Sequence, residues 1–217
     1  MSQSIPQVLS PAAALLPAFA PWFDLAGLAV FAVSGALAAA KRGQTIVTLS
    51  FFALITGVGG GTVRDLLIGA RVFWVQDARA AIVCLAVAVV IWITPQRWWS
   101  DRALAWFDAA GLGAYAVYGA AKALTYGVPP VPAALMGVIT ACVGGIIRDM
   151  LAGEPSILMR PELYVTAAAL SSASYVVLYE VGVTRLVAAV IAAILGFGLR
   201  AAAIHFRLGL PAYRGLR

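Results

Sequence analysis

Long apolar stretches, separated by short polar or aromatic connections, make up most of this chain of 217 residues. A helix needs about 20 residues to cross a hydrocarbon core of roughly 30 Å. Seven stretches have about this length, and they cover residues 23–40, 45–69, 78–94, 106–123, 132–152, 162–179 and 184–204. The pattern predicts an all-α integral membrane protein with seven transmembrane helices.

The second half of the chain repeats the first half. Trp22-Phe23-Asp24 falls on Trp106-Phe107-Asp108 at a shift of 84 residues, and the alignment needs no gap. Each copy holds three predicted helices, and because three is an odd number the second copy enters the membrane from the opposite side. We therefore predict two inverted-topology repeats, at 22–100 and 101–182, with a lead-in segment at 1–21, a seventh helix at 183–205 and a C-terminal tail at 206–217.

One motif occurs inside both the second and the fifth predicted helix. It consists of Gly59, Gly60, Gly61, Arg64 and Asp65 in the first copy, and of Gly144, Gly145, Arg148 and Asp149 in the second. Glycine lets a helix depart from regular geometry at low steric cost, and unwound backbone in a membrane needs protein or water around it. We interpret the motifs as an ion or substrate pathway between two broken helices. The alternative is that the glycines serve close helix packing and the charges reach the interface.

Three further charged residues, Asp24, Asp108 and Lys122, are possible charge partners at this site. An isolated arginine at the bilayer centre costs at least about 3 kcal/mol, so we expect each motif arginine to pair with a carboxylate or to face an aqueous lumen. Asp24 and Asp108 are equivalent in the two repeats and stand near helix starts. We interpret them as interfacial charges, and pairing with the arginine of the opposite repeat is the alternative. Lys122, whose equivalent is Ala38, is expected to reach the interface rather than to act in gating.

Composition excludes several classes of function. Hydrophobic residues make up 63% of the chain and charged residues 11%, whereas soluble domains have about 25% charged residues. The net charge is +6. In a membrane protein such an excess of basic residues usually lies in cytoplasmic loops rather than on a nucleic-acid site, so we expect no nucleic-acid partner. Cys84 and Cys142 lie in apolar stretches, and we expect free thiols, no metal site and no cofactor. The sequence contains no catalytic constellation, so we expect no enzyme.

The basic residues of the loops predict the orientation of the chain. Four lie on one side of the predicted bundle and nine on the other. Because positively charged loops stay in the cytoplasm, we expect a multi-pass protein of the inner (plasma) membrane with its N-terminus outside and its tail in the cytoplasm. Membrane lipid is then an expected partner.

The repeated motif also carries a family resemblance. Gly60-Gly61-Thr62-Val63-Arg64-Asp65-Leu66-Leu67, its second copy Gly144-Gly145-Ile146-Ile147-Arg148-Asp149-Met150-Leu151, and the Phe-Asp-x-x-Gly sequences at Phe23 and Phe107 resemble the trimeric intracellular cation (TRIC) channel family in its prokaryotic branch. The resemblance implies a homotrimer of seven-helix protomers, each with a pore lined by the second and fifth helices, which are kinked at the glycines. It also implies conduction of monovalent cations, chiefly potassium with some sodium.

A second function stays open on the residues alone. Where a helix is broken, an arginine beside the start of its second half can bind a carboxylate, and inverted repeats support alternating access. The same features therefore fit a secondary transporter of a small amino acid such as glycine. A membrane scaffold without transport is a third interpretation, which requires the motifs to be packing features only.

Overall fold

The computed structural model describes residues 20–211 and, within this range, every side chain except those of residues 20–24, 96, 101 and 102. Nearly all of the predicted lead-in at 1–21 and half of the tail at 206–217 lie outside the described residues. Between residues 20 and 211 the regular structure is helical, apart from one isolated antiparallel bridge between Glu162 and Gly209.

Each of the seven predicted stretches overlaps one long helix. In chain order the described helices are α1 Ala20–Ala40, α2 Ile46–Leu67, the single-turn α3 Phe73–Gln76, α4 Ala78–Ile93, α5 Asp101–Thr125, α6 Pro130–Leu151, α7 Val165–Glu180 and α8 Arg185–Phe206. By length and composition, α2, α6 and α8 are able to cross a membrane, while Leu25–Ala40 of α1 and the whole of α4 are shorter apolar segments.

The helix boundaries follow the sequence repeat. Helices α2 and α6 each have 22 residues, and both bounds of α6 lie 84 positions after those of α2. The single-turn α3 has its counterpart in the 3-10 turn Ile157–Met159. Glycines with positive φ follow equivalent helices, namely Gly43 and Gly127 after α1 and α5, and Gly69 and Gly153 after α2 and α6. The repeat therefore extends from the sequence to helix lengths and turns.

Polar side chains begin three of the helices. Thr45 before α2 and Ser100 before α5 each accept a hydrogen bond from the backbone amide three residues on, which satisfies one of the free amides of a helix start. Asp77 begins α4, where its carboxylate accepts from both the backbone amide and the guanidinium of Arg79. The side-chain hydrogen bond from Arg79 holds the pKa of Asp77 below its ordinary value.

The first helices of the two repeats cross at reciprocal contacts. Gly27 of α1 faces Tyr115 of α5, and Gly111 of α5 faces Phe31 of α1. The two rings meet edge to face with centroids 5.2 Å apart, a favourable aromatic geometry. Because the residue numbers rise along α1 while those of the contacted residues fall along α5, the two helices are antiparallel, as inverted repeats require.

The second helices of the repeats cross in the same way, and there the backbones touch. A Cβ atom on Gly60 of α2 would overlap the carbonyl oxygen of Thr140 on α6, and one on Gly144 of α6 would overlap the carbonyl oxygen of Thr56 on α2. Gly144 is the repeat equivalent of Gly60, and Thr140 that of Thr56. The contact is therefore reciprocal, and it requires glycine on both helices.

The glycines do not break these helices. Helices α2 and α6 are each one continuous α-helix through the motif, so the prediction of broken helices is wrong. The absent side chains allow the neighbouring backbone to approach, and the helical hydrogen bonds are kept, which is the usual role of glycine where membrane helices pack closely. For the glycines, the packing interpretation holds.

Helix α8 lies outside the repeat and packs on α5 and α7. The Ser171 hydroxyl of α7 lies 3.0 Å from the carbonyl oxygen of Gly113 on α5 and 2.9 Å from that of Ala192 on α8. On the outer surface, large apolar side chains such as Ile82 of α4 and Ile194 of α8 are 61% and 63% exposed. Exposed apolar surface of this kind suits contact with lipid hydrocarbon.

Alanine at Gly60 is expected to destabilise the protein, because its methyl group would overlap the Thr140 carbonyl and force α2 away from α6. The expected loss is about 1–3 kcal/mol, the usual cost of overpacking. Gly198 in α8 has open space where its Cβ would lie, and its alanine variant is the matched control, expected to be neutral or stabilising by up to about 1 kcal/mol. Thermal unfolding in one detergent compares the two variants. Equal melting temperatures for G60A and G198A would contradict the packing described here.

Candidate functional site: two buried charge clusters

The first charge cluster lies near the end of α2, where Arg64 and Asp65 are fully buried. The Nε atom of Arg64 donates to Oδ1 of Asp65 at 2.8 Å, and Nζ of Lys122 on α5 donates to the same oxygen at 2.8 Å. The guanidinium carbon of Arg64 lies 5.0 Å from the ring centroid of Tyr118, also on α5, within the range of cation–π attraction. Helices of both repeats therefore build this cluster.

The second cluster lies near the end of α6 around Arg148, which is also buried. Its Nε and Nη2 atoms donate to Oδ1 of Asp149 at 2.9 and 2.8 Å. Its Nη1 atom donates to Oδ1 of Asp108 on α5 at 2.7 Å and to the hydroxyl of Ser34 on α1. The Ser34 hydroxyl in turn donates to Asp108 at 3.3 Å. One buried guanidinium is thus held by two carboxylates and a hydroxyl, in charge-assisted hydrogen bonds.

Each motif aspartate also fixes the loop that follows its helix. Oδ2 of Asp65 accepts from the backbone amide of Phe73 at 3.0 Å, and Oδ2 of Asp149 accepts from the backbone amide of Ile157 at 2.9 Å. Phe73 and Ile157 are equivalent in the repeats and begin α3 and the matching 3-10 turn. The Arg-Asp motif therefore couples neutralisation of a buried arginine to the folding of a loop.

The clusters lie on opposite sides of the crossing of α2 and α6. Arg64 follows Gly60 by four residues and Arg148 follows Gly144 by four, which is about 6 Å along a helix at 1.5 Å per residue. Because the crossing contacts show α2 and α6 to be antiparallel, these two steps lead in opposite directions. Along this helix pair the structure places a charge cluster, a backbone crossing and a second charge cluster.

Ser34 and Tyr118 are site residues that the sequence analysis missed. They occupy equivalent positions in the two repeats, and each contacts the arginine of the opposite repeat. A serine and a tyrosine share no motif, so the 84-residue register was the one signal that could have found them. The pairing of Lys122 has no equivalent, because Ala38 stands at that place in the first repeat.

The structure corrects the interpretation of two charges. Asp108 is buried and pairs with Arg148 of its own repeat, so neither the interfacial position nor the pairing across repeats is right for it. Lys122 donates to the buried Asp65 rather than reaching the interface, and its side chain is 17% exposed. The side chain of Asp24 lies outside the described residues.

The charged groups of both clusters are arginine, lysine and aspartate side chains. Within residues 20–211, no group of three or more His, Cys, Asp or Glu side chains described by the structure could hold a metal ion. Cys84 and Cys142 are buried free thiols. Carboxylates that neutralise arginines beside a helix crossing are suited to controlling the passage of small charged solutes.

Comparisons with known proteins place this arrangement in a family. A family model described as Glycine transporter matches residues 21–96 and, a second time, residues 105–180. The crystal structure of a TRIC trimeric intracellular cation channel orthologue from Rhodobacter sphaeroides matches with a TM-score of 0.80 and 41% identity, over 87% of this chain and 98% of that one. The chain belongs to the prokaryotic TRIC family. The resemblance noted in the sequence is thereby confirmed.

Further relatives agree with membership of the TRIC family. A second solved structure, of a TRIC cation channel, has a TM-score of 0.79 and 28% identity over 91% of this chain and 98% of that one. The UPF0126 membrane protein of Vibrio cholerae serotype O1 is 36% identical, over 88% of this chain and 81% of its own length. The UPF0126 inner membrane protein YadS of Escherichia coli strain K12 is 34% identical, over 88% of this chain and 95% of its own length. The TRIC-family chain is accordingly an inner-membrane protein, and these relatives are channels and membrane proteins rather than enzymes.

Replacing Asp65 by alanine is expected to destabilise the protein by about 3–5 kcal/mol, because it removes the carboxylate that pairs with buried Arg64 and Lys122. Alanine at Glu154 is the control, since that residue pairs with Arg42 at 2.7 Å on the surface, where removal of a pair costs about 0–1 kcal/mol. Thermal unfolding of the purified variants measures both losses. If the D65A and E154A variants had the same melting temperature, the first cluster would not be the buried ion pair described here.

Proposed function

We propose that this protein is a channel for monovalent cations, permeable to potassium and sodium, with a pathway along α2 and α6 of each protomer. The observation that carries the proposal is the pair of buried charge clusters on either side of the α2–α6 crossing. Its support from relatives is that two solved structures similar to this chain are those of TRIC cation channels.

The proposal includes a topology. Seven long helices cross the membrane as two inverted repeats and a seventh helix, with the N-terminus outside and the C-terminus in the cytoplasm, and three protomers form a homotrimer. Support comes from the reciprocal antiparallel contacts of the repeats and from the excess of basic residues in the loops on one side. The Rhodobacter sphaeroides relative, a trimeric intracellular cation channel orthologue, supports the homotrimer.

The clusters explain how a cation passes two arginines. A free arginine beside a narrow pathway repels cations, but Arg148 is held between two carboxylates and Arg64 is paired with Asp65. Movement of a guanidinium away from its carboxylate exposes negative charge to a hydrated cation, and the reverse movement hides it. Since the α2 and α6 backbones touch at Gly60, conduction along α2 and α6 also requires the two helices to separate at this contact. The clusters then act as charged gates on both sides of a narrow crossing.

Recordings from the purified protein in planar bilayers under a potassium gradient test the proposal. We expect unitary currents with a reversal potential set by potassium and sodium rather than by chloride. Neutral glutamine at Arg64 or Arg148 is expected to change conductance or open probability at least about fivefold, which is the lower end of typical coupling between two sites of a protein. Glutamine at Arg79, which forms an exposed pair with Asp77, is the control and is expected to leave the currents unchanged. Anion-selective currents, or arginine variants that behave like R79Q, would contradict it.

A second candidate, a transporter of glycine, is favoured by two observations. The family model that matches both repeats is described as Glycine transporter. Nη1 of buried Arg64 has no hydrogen-bond partner among the described residues, and it could donate to the carboxylate of an amino acid. Saturable glycine uptake into proteoliposomes, lost in R64Q and unaccompanied by unitary currents, would select the transporter over the channel.

A further inference from the structure

Helix α8 places two arginines at similar distances from tyrosine ring centroids, one near each end of the helix. Arg185 lies at the start of α8, and its guanidinium carbon is 5.3 Å from the ring centroid of Tyr179. Arg200 lies near the end of α8, 5.2 Å from the ring centroid of Tyr164. The two contacts differ in two ways: Arg185 also donates to the Tyr179 hydroxyl at 3.2 Å, and only the Arg200 contact adjoins one of the charge clusters described above.

Arg200 is the more strongly constrained of the two arginines. It is buried, and its Nη2 donates to Oε2 of Glu162 at 2.6 Å, where the carboxylate side chain is 35% exposed. A buried guanidinium that is hydrogen-bonded to a carboxylate and lies over an aromatic face has few other positions available to it. Arg200 in turn restricts movement of the Tyr164 ring that it contacts.

Tyr164 forms a wall of the second charge cluster. It is fully buried, and its hydroxyl oxygen lies 3.0 Å from the place that a Cβ atom on Gly145 would occupy. Oδ1 of Asp108 and Nη2 of Arg148 lie 3.8 Å from the same place. The absence of a side chain at Gly145 therefore lets the phenol face the ion pair. In the part of the chain that the structure describes, the Tyr164 hydroxyl and Oδ2 of Asp108 are both buried without a hydrogen-bond partner.

The segment after α8 contacts the loop before α7, which carries Glu162. The backbone amide of Leu210 donates to the carbonyl oxygen of Pro161 at 2.8 Å, and Gly209 forms the isolated bridge with Glu162. These contacts fix the residues that carry Glu162 and lead into Tyr164. The first repeat has Ala80 at the position of Tyr164, so this arrangement has no equivalent at the first cluster.

We infer that Arg200 is a positioning residue for the pathway, which acts on the Arg148 cluster through Tyr164. In this way α8 and the segment after it, which are not part of the repeat, set the state of one of the two gates. The inference rests on the proposed function, because it assigns control over the same site. The two clusters, which are otherwise similar, then differ in regulation, because α8 controls only the Arg148 cluster.

Bilayer recordings of R200Q and R185Q test the inference with a matched pair on one helix. We expect R200Q to change open probability or unitary potassium conductance at least about fivefold, and R185Q to stay close to the unmodified protein. In a Y164L background R200Q is expected to add little, because residues that act through one another are not additive. If R200Q does not fold, R200K replaces it, since lysine keeps the charge but lacks the planar guanidinium. Equal currents for R200Q and R185Q, or full additivity with Y164L, would overturn the inference.

A structural readout separates failure of the inference from failure of the channel proposal. Fluorine NMR of 3-fluorotyrosine placed at position 164 reports the surroundings of the ring without any transport measurement. We expect R200Q to shift this resonance and R185Q to leave it unchanged. An unmodified protein without currents or flux would refute the proposed function alone. A resonance unmoved by R200Q would refute the positioning role alone.

Discussion

At the crossing of α2 and α6, the carbonyl oxygens of Thr56 and Thr140 lie where side chains on Gly144 and Gly60 would otherwise be. This backbone contact sets the separation of the two repeats. The arginines follow on each helix at a fixed number of residues, so the contact also places the charge clusters. Helices α1 and α5 also cross at reciprocal glycine contacts. A pair of antiparallel helices with no side chain at their closest point thus organises both the core and the site.

Burial of the charges imposes a second constraint. Taking an arginine out of water costs several kcal/mol unless a carboxylate with good hydrogen-bond geometry accompanies it. Asp65 and Asp149 meet this need with one oxygen and hold the next loop with the other. Movement of either arginine would therefore disturb a loop as well as an ion pair. This coupling gives the motif a physical role beyond its charge, since it links events inside the bundle to the ends of the helices.

The helices, the repeat and the family followed from the sequence because each leaves a local or periodic trace. Apolar length marks the helices, and the 84-residue register marks the repeat down to its positive-φ glycines. The state of the glycine motif left no such trace, because glycine serves unwinding and close approach equally well. What decides between them is the Thr140 carbonyl opposite Gly60, far away in the chain. Lys122 was misread for the same reason, since its position on its own helix says nothing of Asp65 on another.

A single cysteine at Ser34 gives the most direct test of whether cations pass the second cluster, because this hydroxyl touches both Arg148 and Asp108. The protein would carry alanine at Cys84 and Cys142, and a cysteine at the exposed Ile194 of α8 would be the control. Bilayer currents are recorded before and after reaction with a cationic thiol reagent, with mass spectrometry to confirm the modification. We expect modified S34C to lose most of its potassium current and modified I194C to keep it. An S34C protein that is fully modified and still conducts as before would place the pathway elsewhere.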